Sequence, residues 1–519
     1  MKQDILSKTI LLTAIAFATM ILGTGCDDWL DVQGENTEKE EDQFTTYKGF
    51  RDALTGCYMQ MASESIYGQR MTMTDLEGMA AQWYISAGHE NQNPEAWQLH
   101  YHLWTQDKAL DVMEDIYSNL YNTIAQANVI IKHYREEGER VITSTAYRQC
   151  VGGEAYGIRA YCHLDVLRLF GQLPAGAAET LGGSKTVRLP YSKVTGVGDV
   201  ARYYGYEEFC NLIEADIDSA LLLLKDNDPV CQYGFDALNY IQGSSAGSGD
   251  LLDDNYWYYR QSRMNYYAVL ALKCRFLLYV NRKDEAHALA LEIINATNPD
   301  GTAVRTLSGS ADLAAGFFGC PGECFFYLSK YDLLTSANAY LVGGNSTQLR
   351  VNHYYLTNQM LTVLYASVQT TTGSHNRYNK IWNRTVRDQS GNAHAALKKY
   401  WYDETDDNVM RYAMTRAQII PMLRLSEIYL IAIETSATPE EANEYYATYE
   451  AGCDVLLPRT YQNMDLIRAE VLNEYRREFI GEGQMFFQYK RRGTEIMMNN
   501  ANRMTEDDYI VPLPSTEYE

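Results

Sequence analysis

Apolar residues recur at helical spacing along most of the chain. Tyr47, Phe50, Leu54, Tyr58 and Met61 form one stripe, and Tyr117, Tyr121, Ile124 and Ile131 form another that also admits Asn128. A third run, from about Ala146 to Phe170, stops at Gly171 with Pro174 just beyond, the punctuation of a helix end. From Ser262 to Asn295 the spacing predicts two helices joined by the polar turn "NRKDE". Tyr267, Leu270, Cys274 and Leu277 make the first stripe; Ala286, Leu289 and Ile293 make the second. The pair occupies 34 residues, and small residues stand at Ala268, Ala271, Ala286 and Ala290, as in a tetratricopeptide-type hairpin.

A second pair is expected from about Pro421. Its turn "SATPEE" puts Thr438 at an N-cap, Pro439 at the first helical position and Glu441 at the capping-box position. A last long helix is expected over Asp465–Ile480, before "GEGQMFFQYKRRG". Between these elements the pattern fades. Residues 68–106 read as loop, 175–200 and 241–255 as Gly/Ser-rich connections, and 302–414 as an irregular insertion. The fold class predicted is mostly all-α: tetratricopeptide-like helical hairpins with large irregular loop insertions. The body spans 44–519, with an N-terminal part over about 44–240 and a C-terminal part over about 256–519.

The N-terminus departs from this pattern. Lys2 and Lys8 precede a 13-residue, largely apolar stretch, Ile10–Leu22, and Gly23, Thr24 and Gly25 lead into Cys26. The stretch is too short to span a bilayer and has the layout of a secretory signal. A cysteine after small residues at its end points to a lipoprotein: signal over 1–25, lipid attachment at Cys26, then an acidic tether over 26–43. Leu22 stands one place before the usual position, which Gly23 takes. Simple cleavage leaving Cys26 free is the alternative.

Charge narrows the partners. The chain of 519 residues carries 67 Asp and Glu against 44 Lys and Arg, a net of −23. Such a body repels nucleic acid and anionic head groups, so membrane attachment calls for a local device such as the lipid. Apart from Cys26, nine cysteines are spread without a CxxC. Only Cys320 and Cys324, in "CPGEC", are close enough for a local disulfide.

Motifs for catalysis are weak. "GSSAG" at 243–247 puts Ser245 in the nucleophile's place of GxSxG, but its flanks are a Gly/Ser loop, not a strand and a helix. There is no GxxxxGK[ST]. "HYH" at His100–His102 would set two imidazoles on one side of a strand but has no carboxylate at ligand spacing. "DETDDN" at Asp403–Asn408 lacks the alternating ligands and glycine of a calcium loop. No cofactor and no metal are expected.

Aromatic residues carry the stronger signal. Tyr occurs 42 times, Trp 7 and Phe 14. Trp83, Tyr84, Trp97, Tyr101 and Trp104 lie among Gln, Asn, His and Gly, not on an apolar stripe. Tyr331, Tyr340, Tyr354, Tyr355 and Trp382 do so too. Sugar rings stack on such faces while their hydroxyls reach polar neighbours, so these are the candidate ligand contacts. A tyrosine-rich helical core accounts for the composition equally well.

Several stretches occur in the order of a known family. "CDDWLDVQGEN" is followed by "FTTYKGFRDALTGCY", then "IYSNLYNTIAQANVII". "GEAYGIRAYCHLDVLRLFGQLP" from Gly153 to Pro174 is the most specific. "PMLRLSEIYLIAIET", "EYRREFIGEGQMFFQYKRRG" and "VPLPSTE" complete the set. Over nearly its whole length the chain resembles the SusD/RagB family of outer-membrane nutrient-binding lipoproteins of Bacteroidetes-type bacteria. Met485 and Gln488 stand where an Arg–Asp pair is common in that family, and the Asn-x-x-Arg segment is hard to find around Cys453–Arg459. Arg424 and Glu427 match its Arg-x-x-Glu helix, read as a structural pair. Trp29 and Leu30 resemble its tether-to-body junction.

The resemblance implies a lipid-anchored protein of the outer membrane, facing the exterior and without catalysis. It implies capture of oligosaccharide or another nutrient for a SusC-like TonB-dependent barrel. Ligand residues vary within the family, so none carries over. Two other readings stay open: a helical-repeat adaptor whose partner is protein alone, and a surface glycan hydrolase.

Overall fold

In a computed structural model, residues 40–196, 198–239, 251–341, 347–368 and 375–518 are described. Cys26, Trp29, Leu30 and Ser245 lie outside them. The chain divides into two units, Met1–Thr46 and Tyr47–Glu519. The first contributes a helical turn, Glu40–Gln43.

The second unit opens with α1 (Tyr47–Met61), which buries Phe50, Leu54, Cys57 and Met61. Three short helices follow where loop was expected: α2 (Asp75–Met79), α3 (His89–Gln92) and α4 (Pro94–His100). They are too short to show a period, but α4 has its start signal: Asn93 caps it and Pro94 is its first residue. Next come α5 (Asp107–Glu136) and α6 (Thr145–Phe170). Helix α6 is buried on every side from Cys150 onward, as a central helix must be. At Gly153 a Cβ would stand 2.5 Å from the Leu224 side chain, so glycine lets the neighbouring helix approach. That neighbour is α7 (Tyr206–Leu224), reached through the paired strands β1 (Leu189–Pro190) and β2 (Tyr203–Tyr204).

The hairpin predicted at 262–295 is α8 (Tyr266–Tyr279) and α9 (Lys283–Ile294). The segment 302–414 holds more regular structure than its pattern indicates. Strand β3 (Cys324–Ser329) lies there, as does a three-stranded sheet of β4 (Leu356–Thr357), β5 (Trp382–Arg387) and β6 (Ala393–Leu397), in the order β4-β6-β5. Pro421, expected at a helix start, lies in β7 (Ile419–Arg424), antiparallel to β3. The second hairpin is α10 (Leu425–Thr435) and α11 (Pro439–Gly452). Thr438 accepts from the Glu441 amide, and Glu441 reaches back to the Ala437 amide at 3.0 Å. The chain closes with α12 (Met464–Glu478) and α13 (Met485–Arg492).

Sequence neighbours stack in space: α1 on α5, α5 on α6, α6 on α7, α7 on α8, α8 on α9, α9 on α10, and α10 on both α11 and α12. This is the packing of a helical-repeat array, with the small sheets set at its side. Among the described residues no helix is long and apolar enough to cross a membrane.

Buried ion pairs tie the stack together. Asn128, the odd residue of its stripe, accepts from Arg159 Nη1 at 2.8 Å, and Arg159 pairs with Asp216 of α7 at 2.6 Å. Arg424 and Glu427 do not pair with each other. Arg424 ends β7 in extended backbone, so helical i, i+3 geometry does not apply to it. It binds Glu323, Glu478 and Glu482, while Glu427 accepts from Nε and Nη2 of Arg275 at 2.8 and 2.7 Å. Cys320 and Cys324 are free thiols in the core, not a disulfide. Cys320 sits in left-handed backbone, and Cys324 donates its S–H to the Cys320 carbonyl.

Gly481 and Gly483 explain "GEG". Both have positive φ, and a Cβ on Gly483 would come within 1.7 Å of the Met71 carbonyl oxygen. Their amides donate to Glu77 Oε1 at 3.0 and 2.7 Å, which ties α2 to the chain just before α13.

Candidate ligand-binding site

Burial sorts the aromatic candidates. Trp83 turns inward: its ring is fully buried, and its indole N–H donates to the Met73 carbonyl at 3.0 Å. Tyr84 turns outward and stays half-buried. Tyr354 and Tyr355, far along the chain, are both buried but meet different partners. Tyr354 is buried against Trp83, ring centres 6.2 Å apart, while Tyr355 supports Tyr84 at 5.7 Å. The Tyr84 amide donates to the Tyr355 carbonyl at 2.9 Å and sets the register.

Two histidines complete this patch. His394 of β6 lies 4.7 Å from Tyr355 and 6.4 Å from Tyr84, and its Nε2 pairs with Asp388 at 3.0 Å. His89 of α3 meets the Tyr84 ring edge-on at 6.4 Å and accepts from the Ser86 amide at 3.0 Å. Burial lowers the His89 pKa.

Helices α3 and α4 pack together and carry the surface onward. Trp97 and Tyr101, one turn apart on α4 and its C-cap, meet at 4.4 Å with their planes tilted by 58°. Both are half-buried. Trp104 packs on His102 at 5.4 Å, and its indole N–H has no partner among the described residues. "HYH" is a helix end and a turn, not a strand. His102, at positive φ, turns its Nε2 to the Met79 carbonyl, while His100 packs on Tyr101. Burial, with His102 and His89 nearby, pushes His100 down to about 4, so it is neutral.

Chemically, this surface offers aromatic faces beside a carboxylate, imidazoles and hydroxyls, the combination that holds a polyhydroxylated ring. Tyr84, Trp97, Tyr101 and Trp104 present it. Trp83, Tyr354 and Trp382 do not: all three are core residues, and Trp382 packs beside Tyr365 on the inner side of β5. Tyr355 is 8% exposed and serves as support. Tyr331 is 84% exposed in the turn after β3, and among the described residues no ring stacks on it. Tyr340 is half-buried.

His394, Asp388 and His89 were missed in the sequence. His89 stands near Tyr84 in the chain and could have been included; His394 and Asp388 join only through the β-sheet. The acids of "DETDDN" are used locally: Asp403 holds Thr405, and Asp406 caps a helical turn. A cavity of about 400 Å³ lined by Asn128, Arg135, Tyr156 and Lys193 holds none of the candidates.

The architecture has solved counterparts. A SusD superfamily protein from Bacteroides vulgatus superposes with a TM-score of 0.65 at 17% identity, over 91% of this chain and 96% of that one. The chain has the SusD-like fold. A laminarin-binding SusD-like protein matches at 0.62 and 15% identity, over 91% and 97% of the two chains. A SusD-like carbohydrate-binding protein from Bacteroides vulgatus matches at 0.58 and 14%, over 86% and 83%. No family model and no curated protein sequence matches the chain, so the SusD-like assignment rests on structure.

Proposed function

We propose that this chain is a glycan-binding protein of the cell surface, anchored through a lipid on Cys26. It passes oligosaccharides to a SusC-like TonB-dependent barrel and catalyses nothing itself. The observation that carries the binding reading is the aromatic surface of Tyr84, Trp97 and Tyr101 beside His89 and the His394–Asp388 pair. Solved proteins of the same fold that are named for laminarin or carbohydrate binding support it. The signal-like stretch before Cys26 supports the anchor.

Calorimetric titration with a panel of oligosaccharides, β-1,3-glucan oligomers first, tests it. Binding that weakens in Tyr84→Ala and Trp97→Ala is expected. If no saccharide binds while the barrel still co-purifies, the adaptor reading replaces this one; release of reducing ends would make it a hydrolase.

A further inference from the structure

A second polar centre lies among helices α11 and α12, and the ligand surface does not use it. His375 immediately precedes a short helix, Asn376–Lys380. The Asn376 amide donates to the Cys453 carbonyl at 3.0 Å, and its side chain donates to the Gly452 carbonyl at 3.1 Å. These bonds hold His375 against the end of α11, where Glu450 sits. Glu474 of α12 faces the same point. One ligand-capable atom from each of His375, Glu450 and Glu474 lies within 4.8 Å of the other two, and all three residues are buried.

Two observations set this cluster apart. His375 is 1% exposed, and neither of its ring nitrogens has a hydrogen-bond partner among the described residues. Both carboxylate oxygens of Glu450 are likewise buried without a partner that carries a fixed proton. Burial normally forces such groups to be satisfied.

The neighbouring acids are matched differently in the two networks. In the adjacent network Arg377, Arg424 and Lys399 face Glu323, Glu478 and Glu482, three charges against three. In this one Arg477 alone faces Glu470 and Glu474, and Glu450 adds a third acid.

We propose that His375, Glu450 and Glu474 form a structural site for one divalent transition-metal ion, zinc being the species that suits the donors. One imidazole and two carboxylates match zinc chemistry, whereas calcium and magnesium take oxygen ligands almost alone. Ligands of a tetrahedral zinc lie about 3.4 Å apart, so atoms within 4.8 Å close on it by small side-chain rotations. Arg477 donates to both oxygens of Glu474 and Tyr446 to one of them, which orients the carboxylate, the role of an outer shell. The ion would clamp the Asn376–Lys380 segment to α11 and α12.

The test uses the full chain produced in zinc-depleted medium and titrated with zinc chloride alone. One zinc per chain is expected by elemental analysis, with a melting temperature raised by at least about 3 °C. His375→Gln and Glu450→Gln should each abolish both effects. Because a variant could misfold, the zinc X-ray absorption spectrum of the unmodified protein gives a second readout, expected to show a single imidazole in an oxygen-rich shell. Absence of stoichiometric zinc overturns the proposal, as does zinc bound equally by both variants or a spectrum without imidazole. If Glu450→Gln matches or exceeds the parent in stability without responding to zinc, a proton shared between Glu450 and Glu474 takes the metal's place. None of these outcomes depends on glycan binding.

Discussion

The amide of Tyr84 donates to the carbonyl of Tyr355 at 2.9 Å, and this bond joins two segments separated by most of the helical array. It sets buried Trp83 against Tyr354 and half-buried Tyr84 against Tyr355. A slip of one residue would turn Trp83 outward and bury Tyr84.

Tyr84→Ala and Trp97→Ala should each weaken oligosaccharide affinity about tenfold, about 1.4 kcal/mol, with a small change in melting temperature. Tyr331→Ala should leave affinity unchanged. Calorimetric titration of the three variants checks this, and equal affinity for Tyr84→Ala and the parent would remove Tyr84 from the site.

Gly483→Ala should destabilise the protein by about 3 kcal/mol or more. The residue sits at positive φ, and its Cβ would press on the Met71 carbonyl, which is backbone and cannot rotate away. A chemical denaturation curve unchanged from the parent would contradict the close approach.

The Arg275–Glu427 pair is bidentate and buried on both sides. Glu427→Gln should cost about 3–5 kcal/mol, because it strands the guanidinium without its counter-charge. Replacing both residues by methionine and leucine should recover most of that loss. A double variant no more stable than the single one would show that the pair's other bonds, to Tyr161 and the Met422 carbonyl, matter more.

Two buried acids predict opposite pH responses. Burial raises the Glu434 pKa, but Arg491 and Arg492 outweigh it and hold the carboxyl at about 2, against 4.5 for the free group. Its contribution is therefore present above pH 4.5 and is lost as pH falls through 2. Burial pushes Glu77 up to about 8, beyond what the amides of Gly483 and Gly481 and the charge of Lys399 counter. The folded state holds that proton, so the Glu77 contribution is present below pH 4.5 and lost as pH rises through 8. Glu77→Gln should flatten melting temperature between pH 5 and 8.5, and Glu434→Gln should flatten it below pH 4.5. Profiles parallel to the parent's would disprove these assignments.

Long helices such as α1 and α5 were legible because each repeats one apolar face over several turns. The caps at Thr438 and Gly171 were legible because local hydrogen bonding needs only a few adjacent residues. Helices α2, α3 and α4 were not, since five, four and seven residues cannot display a period. The site was partly legible. Tyr84, Trp97, Tyr101 and Trp104 stood in polar company and are surface rings, but Trp83, Tyr354 and Trp382 stood in similar company and are core.

By itself the amino-acid order determined the helical hairpins, the acidic character of the chain and the aromatic stock from which a binding surface is made. These follow from periodicity, composition and neighbours in the chain. Tertiary structure alone decided which rings reach solvent, that Arg424 and Glu427 serve different partners, and that His375 meets Glu450 and Glu474. Those outcomes depend on register and packing between distant segments, where a shift of one residue exchanges inside for outside.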